Sequence, residues 1–210
     1  MLRVTDVVRH LLIINVLMFV GTMFMGDWER LRWLAMFYPT SEFFMPTQIV
    51  THMFMHANFS HLFFNMFGLY MFGPPLESLW GPKRFLFYYL FTGLGALALH
   101  LFVSYLEING YFGSGGQLLV DVPMLGASGA IFGLLAGFGM RFPNVQIMLL
   151  FPPIPMKAKY FVLIYAAAEL MLGLSGLSQG VAHFAHVGGA LFGVLLILYW
   201  DKFGNSRYLR

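Results

Sequence analysis

The chain has 210 residues, of which 59% are apolar and only 10% are Asp, Glu, Lys or Arg, and its mean hydropathy is +0.74. A soluble domain carries about 25% charged residues, so a free globular domain is excluded and the chain reads as one solvated by lipid. Cysteine is absent, which removes disulfides, thiolate nucleophiles and Cys-ligated zinc and leaves Ser, His, Asn, carboxylates and backbone to carry any chemistry.

In chain order, MLRVTDVVRH leads straight into an apolar run with no small-residue cleavage site. Six apolar segments approach the roughly 20 residues of a membrane span. They are His10 to Met25, Ser60 to Leu79, Phe85 to Leu106, Leu125 to Met140, Lys159 to Ser175 and Ala182 to Trp200. The predicted fold class is all-α: a six-transmembrane-helix bundle forming one domain over residues 1–210, with short tails. Between the first two segments, Gly26 to Thr47 carries Trp28, Trp33, Phe37, Phe43 and Phe44 among few charges, a composition that predicts short interfacial helices. Glu107 to Pro123 is glycine-rich (GYFGSGGQ), and Pro152, Pro153 and Pro155 break the chain before the fifth segment.

The charges fix an orientation. With the N-terminus cytoplasmic, Arg3, Arg9, Lys83, Arg84, Arg141, Lys157, Lys159, Lys202, Arg207 and Arg210 fall on that side, against Arg30 and Arg32 on the other. This asymmetry is the positive-inside pattern. It makes the basic pI of about 9.2 a topology signal and not a nucleic-acid patch.

Polar residues inside apolar segments are the next signal, because an ionisable group there is expensive and functional by default. His52, His56 and His61 precede or open the second segment, and His183 and His186 open the sixth. Ser128 opens the fourth, in GASGAIFG. The second, fourth and sixth segments all run inward, so Ser128, His186, His61 and Asn65 come to similar depth from three distant stretches. From Ser128 to Arg141 is about 20 Å of helix, which in a core of about 30 Å sets the hydroxyl below the outer surface, in a water-filled recess. Gly129, Gly133 and Gly137 form a smooth stripe, and Gly189 and Gly193 form a second. Such faces let helices approach closely in lipid, and pairing them brings Ser128 toward His186.

The motifs GASG (Gly126 to Gly129), AHVGG (Ala185 to Gly189) and HxxxHANFSHLFFNM (His52 to Met66), in this order and topology, resemble the rhomboid family of intramembrane serine proteases. The resemblance implies that Ser128 is the nucleophile and His186 its base. It implies that His61, Asn65 and the Ser128 backbone N–H donate to the oxyanion, and that Phe132 stacks on the catalytic imidazole. Gly126, Gly129, Gly189, Gly193, His52 and His56 are supporting residues. No Asp or Glu has an obvious position to orient His186, and the resemblance implies a Ser–His dyad. Thr47-Gln48 stands where many relatives carry Trp-Arg, which puts details of the outer loop in question. The implied substrates are transmembrane segments of other membrane proteins, entering sideways near the second and fifth segments. The implied partner is the lipid bilayer, without nucleic acid, metal or cofactor. The implied location is a bacterial cytoplasmic membrane with both termini inside.

Alternatives stay open. A catalytically inactive relative that binds membrane proteins for quality control has the same fold, and the histidine cluster also suits a metal or solute transporter. His52 and His56, four apart, read as a metal pair or as hydrogen-bonding anchors of the outer loop. His183 is a second candidate base, on the same helix face as His186. GLSGLSQGVA (Gly173 to Ala182) reads as a flexible cap. Glu77 reads as an anchor near the cytoplasmic end, Glu169 has no assigned role, and the sequon at Asn58-Phe59-Ser60 reads as coincidental.

Overall fold

A computed structural model describes residues 4–111, 120–148, 153–175 and 182–204. Part of the glycine-rich loop (112–119), part of the cap (176–181), Pro152, Arg3, Arg207 and Arg210 lie outside the described residues. The helices in chain order are α1 (Asp6–Thr22), α2 (Asp27–Leu34), α3 (Gln48–Thr51), α4 (Phe59–Trp80), α5 (Pro82–Ile108), α6 (Ser128–Arg141), α7 (Ala158–Ser175) and α8 (His183–Phe203). The six apolar segments become α1 and α4 to α8, each within four residues of its expected ends. The aromatic loop holds one short helix, α2, and α3 follows directly after the loop, continued by a 3-10 turn at His52–Phe54.

Among the described residues three helices, α5, α7 and α8, are long and apolar enough to cross a membrane. The others depart for visible reasons: α1 and α6 have only 17 and 14 residues, and α4 carries His61, Asn65, Pro74, Pro75 and Glu77. The all-α expectation needs one addition. Gln146–Met148 pairs antiparallel with Pro155–Lys157 in a two-stranded ribbon where the prolines suggested only a break. Pro155 is tolerated because it is the first residue of its strand.

The helix order in space follows from side-chain size. Ten of the fourteen residues of α6 are buried, and it packs against α4, α5, α7 and α8. Its glycines admit that crowding. A methyl on Gly189 of α8 would collide with the carbonyl of Gly129, and one on Gly193 would stand 3.2 Å from the carbonyl oxygen of Gly133. The two small-residue faces therefore meet, as the sequence predicts. Gly81, at φ +79°, ends α4, and Pro82 starts α5 at once. Leu17, Phe64, Phe102, Leu163, Met171, Leu174 and Leu195 are exposed on the outside of the bundle, a surface too apolar for water.

Two buried polar side chains pin the termini of this assembly. Glu77 of α4 accepts hydrogen bonds from Thr5 Oγ1 (2.5 Å), the Val7 N–H (3.0 Å) and the Val8 N–H (2.9 Å). It caps the N-terminus of α1, whose first amides have no helical acceptor. This gives the anchor read from the sequence its mechanism. Gln48 accepts from the Phe37 and Met45 amides and donates to the Arg32 and Phe43 carbonyls, at 2.8–3.3 Å. At the Thr47-Gln48 departure, one fully buried amide thus staples the outer loop. Asn58 accepts from the His61 N–H at 2.9 Å and caps α4, which gives the asparagine of the sequon a structural role.

Candidate active site

Ser128 is the first residue of α6 and His186 lies in the first turn of α8. The Ser128 Oγ and His186 Nε2 are 2.8 Å apart, joining residues 58 positions apart in sequence. The contact of α6 with α8 through glycine is what makes this distance attainable. Phe132, one turn after Ser128, lies flat on the His186 ring, at 4.4 Å between centroids and 5° between planes. Tyr165 of α7 stacks on the other side of Phe132 at 5.0 Å. The imidazole is thus fixed in both position and tilt.

His61 and Asn65 lie one turn apart on α4, and Asn65 is buried. Nδ1 of His61 accepts from the Ala57 N–H at 3.4 Å, which leaves Nε2 protonated and free to donate. A methyl on Gly126 would stand 2.7 Å from His61 Cε1 and Nε2 and 3.7 Å from Ser128 Oγ. Gly126 also has φ +119°. It is glycine for both reasons, and its bareness keeps the His61 edge next to the Ser128 hydroxyl. One N–H of Asn65 Nδ2 donates at 2.8 Å to the His61 carbonyl, which leaves the second N–H of that amide to serve an oxyanion. The first amides of α6 have no acceptor within their helix, and the positive helix end favours an anion there.

His52 and His56 support this floor in different ways. His52 is buried, its Nδ1 donates to the Gln48 carbonyl at 2.8 Å, and its own carbonyl accepts from the Gly126 N–H at 2.8 Å. It ties the outer loop to the turn before Ser128. Burial lowers its pKa. His56 is fully buried, packs edge-on against His61 at 5.1 Å, and burial followed by the nearby His61 pushes its pKa down to about 4. It is therefore neutral at pH 7.

One carboxylate was missed. Glu169 Oε2, on α7, accepts from His186 Nδ1 at 2.8 Å and from His183 Nδ1 at 2.7 Å. The expectation that no acidic residue reaches His186 is corrected. The signal was present: Glu169 is an ionisable residue inside an apolar segment. It lies about 9 Å before the end of α7, and His186 lies about 5 Å into α8, so the two share a depth. His183 binds Glu169 and not Ser128. The donor atoms of Glu169, His183 and His186 lie within 4.8 Å of one another, a His₂-carboxylate set that zinc accepts. Here these groups are engaged with one another and with Ser128.

An apolar helical bundle that holds a serine, a histidine and a carboxylate in hydrogen-bond contact describes a class: an integral membrane protein with a polar cluster inside it. Residues 44–202 match the rhomboid domain, and the chain belongs to the rhomboid family. It is 31% identical to "Rhomboid protease AarA" of Providencia stuartii, over 81% of this chain and 55% of that protein. It is 30% identical to "Putative rhomboid protease YdcA" of Bacillus subtilis, over 77% of this chain and 70% of that one. It is 34% identical to "Presenilin-associated rhomboid-like protein A, mitochondrial" of Danio rerio, over 72% of this chain and 37% of that protein. The chain spans about half the length of the first of these relatives.

Proposed function

We propose that the protein is an intramembrane serine endopeptidase that cleaves transmembrane segments of other membrane proteins. The observation that carries the reading is the 2.8 Å approach of Ser128 Oγ to His186 Nε2, within an apolar bundle that otherwise has little reason to hold either group. Ser128 Oγ attacks the scissile carbonyl while its proton passes to His186 Nε2. His61 Nε2, Asn65 Nδ2 and the Ser128 N–H receive the negative charge that forms on the carbonyl oxygen. His186 then gives the proton to the leaving amine. Water repeats the sequence on the acyl-enzyme, freeing the acid and restoring the hydroxyl.

In this reading six helices, α1 and α4 to α8, span the bilayer with both termini on the cytoplasmic side and the site opening outward. The ten-to-two charge asymmetry supports the orientation. A bacterial cytoplasmic membrane fits the bacterial relatives. The substrate must unwind at the cut, because a helix holds its carbonyls in hydrogen bonds four residues apart.

The test is labelling of the purified protein by a fluorophosphonate probe, with cleavage of a model transmembrane substrate in proteoliposomes. Label on the wild type and none on Ser128→Ala is expected. An unlabelled folded wild type, or equal labelling of the variant, overturns the reading.

A further inference from the structure

We infer that Glu169 is the positioning residue that turns the Ser128–His186 pair into a triad, and that His183 holds this carboxylate in place. The inference rests on the protease reading above. To accept the Ser128 hydroxyl proton, His186 Nε2 must carry none, so the neutral ring must hold its proton on Nδ1. That Nδ1 lies 2.8 Å from Glu169 Oε2. The carboxylate accepts from the tautomer the reaction needs and offers negative charge to the imidazolium that forms in it, which is the role of the third member in a Ser-His-acid site. Its second bond, from His183 Nδ1 at 2.7 Å, fixes the same oxygen from another direction.

Burial supports the assignment. Glu169 is 7% exposed on a helix with only one other buried residue, Ala158. A carboxylate there is costly unless charge partners or strong donors meet it. Both donors that meet it are imidazoles of α8, and one of them contacts Ser128. A carboxylate serving only to pack α7 has no need of the ring that touches the nucleophile.

The experiment compares Glu169→Gln and Glu169→Asp with the wild type on a transmembrane substrate and in fluorophosphonate labelling, with thermal unfolding in detergent as the folding check. Loss of the carboxylate in a triad costs about 10⁴-fold in kcat. Phe132 also holds the ring here, so Glu169→Gln is expected to lose about 10²-fold or more in kcat, with KM within about twofold and labelling slowed in parallel. Glu169→Asp withdraws the carboxylate by one methylene and is expected to lose about tenfold in kcat. Wild-type kcat in either folded variant, or a loss carried by KM, overturns the inference. A wild type that takes no label at Ser128 overturns the protease reading itself.

Discussion

Gly189→Ala tests whether the glycine contact between α6 and α8 sets the catalytic distance. The new methyl would overlap the Gly129 carbonyl oxygen and stand only 2.7 Å from its carbon and 3.2 Å from the Gly129 Cα, where ordinary contact begins at 3.4 Å. These neighbours are backbone and cannot rotate aside. Clearing the carbonyl carbon alone takes about 0.7 Å, and clearing the oxygen takes more, so the helices must part by over 0.7 Å. Gly129 adjoins Ser128, and Gly189 lies one turn from His186, so the separation is passed to the pair. Added to the 2.8 Å Ser–His bond, this carries the pair beyond about 3.5 Å, where the hydrogen bond is lost. Misplacement by about 1 Å costs on the order of 10²-fold, and overpacking costs about 1–3 kcal/mol of stability. The expected result is a kcat for substrate cleavage down by about 10²-fold or more, with a thermal midpoint lowered but a folded protein. Gly21→Ala is the control, since its methyl meets nothing within 4 Å. A folded Gly189→Ala protein with kcat within threefold of wild type would refute the coupling of helix contact to catalytic geometry.

Four further outcomes follow from other contacts. Asn65→Ala should lower kcat about 10²- to 10³-fold with a modest change in KM, as for loss of one oxyanion donor; unchanged single-turnover rates would remove Asn65 from that role. His186→Ala should abolish cleavage and labelling while His183→Gln retains a measurable fraction of both, and the reverse pattern in the same assays would make His183 the base. Gln48→Ala strips partners from two part-buried carbonyls and from the Phe37 and Met45 amides, and each group left buried and unsatisfied costs about 1–3 kcal/mol, so thermal unfolding in detergent should show one of the larger losses for any outer-loop substitution. Glu77→Ala removes three acceptor contacts from the start of α1, and loss of a cap costs about 0.5–2 kcal/mol; faster hydrogen exchange confined to the first turn of α1 is the expected signature.

The sequence carries the helical segments and the meeting of Ser128 with His186 because both rest on local or periodic features. Apolar length marks α5, α7 and α8, and the glycine stripes mark the faces that meet. Ser128, His186, His61 and Asn65 are visible because polar groups are scarce in such a chain. The hydrogen-bond partners are less legible. Gln48 binds four loop groups whose positions depend on how the aromatic segment folds back, with Trp28, Phe37 and Phe43 packed edge to face. The ribbon at Gln146–Met148 and Pro155–Lys157 is too short to leave a periodicity of its own. Glu169 was visible as an anomaly, but its partner was not. Nothing along α7 says which face turns toward α8.

That orientation has a consequence for how the site is built. Among the three long apolar helices, α7 is the least embedded, with 11% of its apolar window buried against 44% for α5 and 50% for α8. A helix so exposed gains little from packing and is held by a few contacts. Toward one end these are Ala158 and the Val162 side chain lying against Gly139. Toward the other they include the Tyr165 ring on Phe132 and the Glu169 carboxylate between two imidazoles, with Gly173 close against His183 and Phe184 beyond them. The Tyr165 and Glu169 contacts terminate on, or one ring away from, His186. Moving that end of α7 outward therefore takes the carboxylate from His186 and removes the ring that backs Phe132. The contacts that align the His186 ring are thus among those that dock the least embedded of the three long helices, so a shift of that end of α7 disturbs both.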